Sequence, residues 1–409
     1  MQPNYDLIVI GGGIAGSSLA RRVAAAGHKV LVLERETEFR DRIRGEALQP
    51  WGVAEARTLG ISQYLMKSGQ ELRYFNQIIN GQPGGRRDLV NTTPSCSGIW
   101  AFYHPRAQET LLQVAADAGA EVRRGATATQ IRPGQTPTVR VQQEGKSAEV
   151  TARLVAVCAG RNAGLRTELG FTVRRGNIPL FLCGVWLTNV SRDIDPSSAH
   201  LANDLRTGSM CAFFMQPGNT ARAYFGFHPQ TCPRLQGAQD FPRFKNEFMA
   251  ASGGAIPFGD AKPEGPLASF ECADVWVDYP YKDGVALVGD AAASNDPSWG
   301  QGLALSFRDA RVLSEELLAN DLWTNAAQRY ARRHDEYYLR LRTVTGWFYD
   351  LFQRLGPEAA QRRARALPLI AQDRTRVPDH LFGGLDIPLY PNSRARFFGE
   401  DTLAASHAG

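Results

Sequence analysis

The sequence predicts an α/β protein: a Rossmann-like domain that carries an inserted, mainly antiparallel β-sheet and is followed by C-terminal helices. An apolar strand over residues 5–10 enters a glycine-rich turn, an alanine-rich helical stretch and a second apolar strand over 29–33. A last apolar strand, over 284–289, enters another glycine-containing loop before a long helix. Between these segments, residues 170–280 contain β-like runs rich in aromatic side chains. The outer segments therefore predict one sheet, and the middle segment predicts a second.

The first turn has the spacing of a dinucleotide-binding loop, with glycines at positions 11, 13 and 16. Gly11 permits the tight turn, Gly13 lets the backbone approach a pyrophosphate, and Gly16 lets the helix pack closely on the strand. The helix begins near Ile14, where free N–H groups attract a pyrophosphate. Glu34 ends the second strand, where its carboxylate can accept hydrogen bonds from an adenosine ribose. A glycine-rich turn without a ligand is the alternative, but it leaves Glu34 unexplained. NAD and FAD both remain open.

The predicted domains are discontinuous along the chain. Residues 1–170 and 281–345 form the cofactor-binding domain, and residues 171–280 form a substrate-binding β-sheet domain. Residues 346–409 form a C-terminal helical segment and tail, which we expect to be irregular beyond Pro368.

Hydrophobic periodicity predicts the individual elements. Helices are expected over residues 50–59, 104–118, 241–251 and 302–318. Alternating polarity predicts a small antiparallel sheet from residues 121–123, 138–142 and 148–152. The apolar run over 153–160 predicts a buried parallel strand.

Composition excludes several classes of protein. The 409 residues are 43% hydrophobic and 21% charged, with a formal net charge of +5. Arginines are frequent over 329–365, but glutamates and aromatics interrupt them, so we expect a solvated helical face and no nucleic-acid binding. None of the six cysteines forms a C-x-x-C pair, and no metal site is predicted. The early first strand leaves no room for a signal peptide, and no run has membrane-spanning length, so we expect a cytoplasmic protein.

The loop over residues 288–302 carries a second signature. Asp290 stands at a strand end, where a carboxylate can hold a sugar or ribityl hydroxyl. The helix that begins near Gly300–Gly302 offers backbone N–H groups and the positive end of its dipole. Reduced flavin carries negative charge at its N1/C2=O edge, which such a helix end stabilises. A helix-capping role for Asp290 is the alternative, but together with the N-terminal glycines the loop favours a flavin.

These segments, in this order, resemble the single-component FAD-dependent monooxygenase family of the aromatic hydroxylase type. The resemblance covers about residues 5–345. It implies an FAD-dependent oxidoreductase reduced by NADPH or NADH. It also implies hydroxylation or epoxidation of an aromatic or other hydrophobic small molecule by molecular oxygen, through a flavin C4a-hydroperoxide.

The resemblance also implies roles for individual residues. Asp290 would contact the ribityl chain or pyrophosphate, and Pro297 would lie along the isoalloxazine. Arg44 matches the arginine of the family's R-x-G loop, and Arg106 matches the arginine that opens its next helix. For both arginines, a surface salt bridge is the alternative. The complete implied cofactor set is Gly11, Gly13, Ile14, Ala15, Gly16, Glu34, Arg35, Arg44, Arg106, Gly160, Asp290, Pro297, Gly300 and Gly302.

The middle motif of the family departs from its pattern here. Gly160, Arg161 and Arg166 match, but Ala159 replaces the aspartate and Ala163 replaces the serine. In the family these polar groups are associated with flavin and nicotinamide use, so direct reduction by NAD(P)H is in doubt and a separate flavin reductase stays open. Ala293 also stands where a histidine is common. No second G-x-G-x-x-G appears, as in the family.

The inserted sheet is expected to cover the flavin and exclude water. Its aromatic side chains are candidates for the pocket wall: Trp186, Phe213, Phe214, Tyr224 and Phe225. His200, His228 and Tyr224 are candidate bases, and the sequence does not choose among them. The alternative functions are a reductase acting on isoprenoid double bonds, a flavin-dependent halogenase and a non-catalytic FAD-binding protein. The halogenase motif W-x-W-x-I-P is not found at Trp100.

Overall fold

The computed structural model describes residues 3–161 and 163–401. The strands, numbered along the chain, are β1 (Tyr5–Ile10), β2 (Val30–Glu34), β3 (Ala47–Leu48), β4 (Gly69–Leu72), β5 (Tyr74–Ile79), β6 (Gln82–Asp88), β7 (Ile99–Phe102), β8 (Glu121–Arg124), β9 (Thr127–Arg132), β10 (Thr138–Gln143), β11 (Lys146–Val157), β12 (Val173–Arg175), β13 (Phe181–Thr188), β14 (Ser198–Asp204), β15 (Ser209–Gln216), β16 (Thr220–Phe227), β17 (Lys262–Glu271), β18 (Val275–Val277), β19 (Tyr281–Lys282), β20 (Val285–Leu287) and β21 (Ala293–Ser294). The helices are α1 (Ile14–Ala24), α2 (Pro50–Thr58), α3 (Ser62–Met66), α4 (Leu89–Thr92), α5 (His104–Asp117), α6 (Ala163–Glu168), α7 (Phe241–Ser252), α8 (Gly302–Leu318), α9 (Trp323–Phe352), α10 (Pro357–Gln372), α11 (His380–Gly383) and α12 (Ser393–Phe398).

The first sheet is the predicted Rossmann-like layer. Its central strands run in the order β20-β11-β1-β2-β8 and pair in parallel, and β19 adds an antiparallel edge. The strand order reverses between β1 and β11, so the crevice for a ligand lies at the carboxyl ends of these two strands. Both loops that carry the glycine motifs follow strands of this sheet. Apolar faces of α1, α5 and α8 bury the sheet in a common core.

The second sheet is the predicted inserted layer, and its seven strands run in the order β17-β13-β16-β15-β14-β5-β6. Neighbouring strands are antiparallel except for β14 and β5, which pair in parallel. The phenylalanines of α7 pack on one face of this sheet, around Phe213. Strands β5 and β6 come from residues 74–88, so the sheet also recruits chain from outside the segment 171–280 predicted for it. The α/β fold class is confirmed.

Most predicted helices are confirmed, and α8 has the predicted bounds. The small sheet predicted from residues 121–152 is wrong in one strand, because β8 pairs in parallel with β2 in the main sheet. The strands predicted over 148–152 and 153–160 are a single element, β11, which bends from the main sheet to pair with β10.

The irregular tail predicted beyond Pro368 is wrong over the described residues. Helix α10 continues through Pro368 to Gln372, although a proline inside a helix removes one backbone hydrogen bond. Helix α12 then buries Phe397 and Phe398 against Phe348 and neighbouring aromatics. Helix α9 runs without interruption from Trp323 to Phe352. Within the described ranges, no helix combines the length and apolarity needed to cross a membrane.

Candidate functional site

A large cavity, with a volume of about 2030 Å³, lies between the two sheets and extends to the C-terminal helices. Known ligand pockets measure roughly 300–1,000 Å³, so this cavity has room for more than one ligand. All but two of the predicted cofactor residues line it: Gly11, Gly13, Ile14, Ala15, Glu34, Arg35, Arg44, Gly160, Asp290, Pro297, Gly300 and Gly302. The exceptions are Gly16 and Arg106.

The first glycine turn has the geometry that its spacing requires. Gly11 has φ +101°, and a Cβ there would lie 2.5 Å from the carbonyl oxygen of Cys158. A Cβ on Gly16 would lie 2.0 Å from the Gly11 carbonyl oxygen, so Gly16 acts from behind the cavity wall by letting α1 approach β1. A Cβ on Gly13 would meet only Gln108 Nε2, at 3.4 Å. The space beside the Gly13 backbone is therefore open to a ligand that approaches it closely.

Helix α1 presents its N-terminus to the cavity. Gly13 occupies the cap position, and within the described chain no side chain caps the helix. The first N–H groups of an α-helix lack intrahelical partners and carry the positive end of the dipole. This end of the cavity therefore suits an anionic group such as a pyrophosphate.

Glu34 closes the same end of the cavity at the end of β2. It is 6% exposed, and its two oxygens accept the backbone N–H groups of Gly12 at 2.7 Å and Glu36 at 2.8 Å. These bonds fix the carboxylate beside the glycine turn. Each carboxylate oxygen has a second acceptor position, so ribose hydroxyls can still bind. The neighbouring Arg35 is exposed and pairs with Glu36 at 3.1 Å.

Asp290 lies on a single 3₁₀ turn, Gly289–Ala291, directly after β20. Its Oδ2 is 3.4 Å from Nε of Arg161, the residue that follows Gly160. This contact links the middle motif, which contains Gly160 and Arg161, to the loop that carries Asp290. Ala159 lines this wall, and the side chain of Ala163 lies outside the described part of the structure.

A buried hydrogen-bond network that the sequence did not predict holds the turn Gly289–Ala291 in place. Asp309 of α8 accepts the N–H of Gly289 at 2.7 Å. It also binds Nδ1 of His334 at 3.1 Å and accepts the hydroxyl of Tyr337, both on α9. The only sequence signal is that His334 and Tyr337 are three residues apart on one face of a helix.

The loop before α8 forms the opposite end of the cavity. Pro297–Trp299 make a 3₁₀ turn, and Gly300 follows with φ +64°. The side chain of Gln301 accepts from Trp51 Nε1 at 2.9 Å and donates to the Trp299 carbonyl at 2.7 Å, which holds the loop in place. Within the described residues no side chain caps α8, so its N-terminus is available to the partial negative charge of a flavin ring.

Two buried carboxylates stand behind this loop. Asp296 is fully buried, its Oδ1 accepts the N–H of Ser298 at 2.9 Å, and its own N–H donates to Asp274 Oδ1 at 2.7 Å. Burial and, to a smaller extent, the charge of Asp274 raise the pKa of Asp296 to about 7. Burial likewise raises the pKa of Asp274 to about 6. Sequence analysis missed both groups; Asp296 stands before Pro297, where an aspartate indicates a turn.

The two predicted arginines have different positions. Arg44 lines the large cavity, and burial lowers its pKa while the charge of Asp290 opposes that effect. Its carbonyl oxygen accepts the hydroxyl of Tyr224 at 2.9 Å. Arg106 is exposed and lines a separate cavity of about 440 Å³ with Trp186. In the described residues neither arginine forms an ion pair, so the surface salt bridge considered for each is absent.

A buried ion cluster connects the Arg44 loop to the inserted sheet. Arg222 of β16 donates to Asp41 at 2.7 Å and to both oxygens of Glu46, and all three side chains are buried. Burial raises the pKa of Glu46 to about 7, although Arg222 opposes this shift. The cluster ties residues 41–46 to the roof of the cavity.

The substrate-side wall differs from the predicted one. Phe214 and Tyr224 line the cavity, together with Leu182, Leu201 and Met210 of the same sheet. Phe213 and Phe225 belong to the core on the other face, and Trp186 faces the small cavity. Neither His200 nor His228 lines the cavity; the latter binds the carbonyl of Gln353 at 2.9 Å. The sequence missed His380, on α11, which does line it.

Comparisons with known proteins agree with this architecture. A family model described as an FAD binding domain matches residues 4–337. Menaquinone reductase of Mycobacterium tuberculosis is 26% identical over 348 residues, which cover 80% of this chain and 81% of that protein. Rifampicin monooxygenase of Streptomyces venezuelae is 26% identical over 331 residues, which cover 78% of this chain and 65% of that protein. The crystal structure of p-nitrophenol 4-monooxygenase from Pseudomonas putida shares the fold, with a TM-score of 0.75 and 19% identity over 99% of this chain and 98% of that one.

Proposed function

We propose a reaction for this chain, which belongs to the FAD-dependent monooxygenase family of the aromatic hydroxylase type. In this reaction the protein transfers one atom of molecular oxygen to a hydrophobic, aromatic small molecule. The electrons come from NADPH or NADH. One observation carries the proposal. One cavity is lined by the N-terminal ends of α1 and α8, by the carboxylates of Glu34 and Asp290, and by an apolar surface of the inserted sheet.

The residues that line the cavity fit FAD along its whole length. The backbone of Gly11 and Gly13 and the N-terminus of α1 suit the pyrophosphate, while Glu34 suits the adenosine ribose. Asp290 suits the ribityl chain. The loop from Pro297 to Gly302 suits the isoalloxazine. Ile14, Ala15, Arg35, Arg44 and Gly160 also line the cavity. Bound FAD supplies the redox chemistry and the activation of oxygen.

The inserted sheet supplies the environment for the substrate. Leu182, Leu201, Met210, Phe214 and Tyr224 present an apolar wall to the cavity. An apolar wall excludes water and binds an aromatic ring through burial of its surface. The substrate class follows from this wall, whereas the cofactor class follows from the glycine loops.

The first test concerns the cofactor and oxygen. We expect the purified protein to be yellow with FAD and to consume oxygen and NAD(P)H in step once an aromatic substrate is present. Incorporation of ¹⁸O from ¹⁸O₂ into the product, measured by mass spectrometry, identifies a monooxygenase. A protein that neither contains FAD nor can be reconstituted with it refutes the proposal.

Direct reduction by NAD(P)H has its own test at the middle motif. We expect Ala159→Asp to increase the rate of flavin reduction by NAD(P)H, because it restores the carboxylate next to Gly160 that the family carries. Anaerobic stopped-flow absorbance measures this rate, and Ala159→Asn is the matched control of equal size without charge. An unchanged or slower rate in the aspartate variant contradicts this expectation and favours a separate flavin reductase as the electron source.

A reductase acting on an isoprenoid double bond is the second candidate. The match to menaquinone reductase, which covers 81% of that protein at 26% identity, favours a reductase. The two candidates differ in their need for oxygen: a reductase consumes reductant and saturates its substrate under anaerobic conditions, whereas a monooxygenase does not turn over. Anaerobic turnover with a prenylated quinone therefore decides between them.

We also propose the cytoplasm as its compartment. All six cysteines are free thiols, and five of them are buried. Free thiols persist in a reducing environment.

A further inference from the structure

Strands β13 to β16 turn an uncharged face to the large cavity, and one amide side chain belongs to that face. Ala212 and Asn203 line the cavity beside the five side chains of the apolar wall. Among the described residues of these four strands, none that lines the cavity carries a charged side chain. The hydroxyl of Tyr224, on the same face, already donates to the carbonyl of Arg44 at 2.9 Å. Asn203 therefore brings the remaining polar side chain to this face.

Strand pairing places Asn203 between apolar side chains. It lies opposite Ile79 of β5 and opposite Met210 of β15, and residues paired across neighbouring strands share a face of the sheet. Leu201, two positions earlier in β14, lies on the same face. Ile79 and Leu201 both pack against the apolar cluster that contains Trp299. The amide is thus held in an apolar part of the cavity wall.

The side chain of Asn203 is 1% exposed, and neither its Nδ2 nor its Oδ1 has a hydrogen-bond partner among the described residues. Buried polar groups without partners are destabilising and rare in folded proteins. The backbone here is fixed, because the carbonyl of Asn203 accepts the N–H of Asn80 at 2.9 Å and Oδ1 of Asn80 accepts the N–H of Leu205 at 2.8 Å. A buried water needs two or more polar partners, which the apolar neighbours of Asn203 do not supply. A ligand group is therefore the better partner.

Other buried polar atoms of the cavity without partners lie at the loop proposed to hold the isoalloxazine. Within the described structure they are Oε1 of Gln49, Oδ1 of Asn295, Oγ of Ser298 and Nε1 of Trp299. Gln49 belongs to this group because its Nε2 lies 2.9 Å from the position of a Cβ on Gly300. The polar edge of a flavin offers partners to these atoms. Asn203 instead lies on the wall proposed for the substrate, so the substrate is its available partner.

We propose that Asn203 selects an aromatic substrate with an uncharged group that carries a hydrogen-bond donor and an acceptor side by side, as an amide or a lactam does. This inference rests on the proposed function. The asparagine side chain has one acceptor oxygen and an NH₂ donor, so it forms two complementary hydrogen bonds with such a group. A carboxylate at the same position would be buried without a cation, which costs more than the burial of a neutral group. Asn203 thus favours neutral amides over acids of the same shape.

The test compares three ligands with the same two-ring skeleton: p-phenylbenzamide, p-phenylbenzoate and biphenyl. Isothermal titration calorimetry measures the dissociation constant of each ligand for the FAD-loaded protein. We expect the wild type to bind the amide about tenfold or more tightly than the carboxylate, because the carboxylate loses its hydration without gaining a cation. The amide should also bind more tightly than biphenyl, which offers Asn203 no hydrogen bond.

Two variants separate ligand contact from folding. Asn203→Leu removes both polar atoms, so it should weaken binding of the amide about tenfold and leave the binding of biphenyl unchanged or tighter. Its Tm without ligand should equal or exceed that of the wild type, since the side chain loses no hydrogen bond within the described structure. Gln353→Met is the matched control, because the Gln353 amide is also buried without a partner in the described residues but does not line the cavity. It should keep the preference for the amide.

The inference is overturned if the wild type does not prefer the amide, or if Asn203→Leu keeps that preference. An equal loss for all three ligands together with a lower Tm also overturns it, because such a loss identifies Asn203 as a structural residue. FAD content and NAD(P)H-driven oxygen uptake are measured on the same samples. A protein that has both but lacks the amide preference refutes the role of Asn203 alone. A protein that prefers the amide but lacks FAD and oxygen uptake refutes the proposed function instead.

Discussion

Replacing Asp296 by asparagine tests whether the flavin loop is built over a carboxyl group that is neutral below pH 7. Asparagine has almost the same shape and keeps an Oδ1 that can accept the N–H of Ser298, as Asp296 does at 2.9 Å. The second oxygen of Asp296 is buried without a partner in the described residues, so the exchange breaks no observed side-chain hydrogen bond. What it removes is the ability to ionise.

The magnitude follows from the pKa. Burial raises the pKa of Asp296 from 3.8 to about 7, and each pKa unit corresponds to about 1.4 kcal/mol. Between these values the folded protein holds a proton that the unfolded chain has released, so stability falls as the pH rises and levels off above about 7. Between pH 5 and pH 8 the wild type therefore loses about 3 kcal/mol that Asp296→Asn does not lose. In a protein of this size, that is roughly 3–4 °C in Tm.

The assay is thermal unfolding of the FAD-loaded protein across pH 5 to 8, at a fixed excess of FAD. We expect equal Tm values for wild type and Asp296→Asn at pH 5 and a higher Tm for the variant at pH 8. Asp278→Asn is the matched control, because Asp278 is 55% exposed in a surface pair with Arg174. Its difference from the wild type should not vary with pH. A pH-independent difference for Asp296→Asn would show that this carboxyl group ionises without penalty and refute the reasoning.

The remaining predictions concern packing and buried charge. Gly16→Ala places a Cβ 2.0 Å from the Gly11 carbonyl oxygen, so it should destabilise the protein by about 3 kcal/mol or more and release FAD. Gly346→Ala is the control, because it lies in a helix with no atom within 4 Å of the new Cβ. It should stabilise the protein by up to ~1 kcal/mol. Arg222→Met leaves two buried carboxylates unpaired and should cost about 3–5 kcal/mol, seen as a lower Tm. Arg132→Met, which breaks an exposed pair, should change Tm little; equal losses for the two arginines would contradict the assignment of a buried cluster.

The glycine loops were predictable because their geometry is local. Gly11 needs a positive φ, and Gly16 needs the absence of a Cβ, so the residue type at each position is dictated within a few residues of chain. The same holds for α8, whose start is marked by Gly300 and Gly302 and whose apolar periodicity runs to Leu318. Local rules therefore predicted the cofactor end of the cavity.

Strand partners were harder to predict, because pairing joins distant parts of the chain. Alternating polarity identifies a strand but not its neighbour, and β8 accordingly pairs in parallel with β2 instead of joining the predicted antiparallel sheet. Strand β6 contains a proline, two glycines and two arginines, which read as a loop. It is an edge strand of the inserted sheet, the position where proline and charge are tolerated.

Buried charge was invisible in the sequence for a related reason. A charged residue predicts exposure, since arginine and glutamate are almost never fully buried unless they are paired. Arg222 and Glu46 are paired and buried, but 176 residues separate them. Only the folded chain brings them together, and their contact fixes the loop that carries Arg44. The sequence motif therefore predicted the Arg44 loop but not the ion pair that holds the loop in place.

The family model ends before the C-terminal residues that line the cavity. The family model matches residues 4–337, whereas the cavity wall continues to Arg396. The cofactor end is thus built by the part of the chain that the family describes, and much of the opposite wall is built by α10, α11 and the residues after them. Proteins that share the first part can bind the same cofactor and still present different side chains to the substrate.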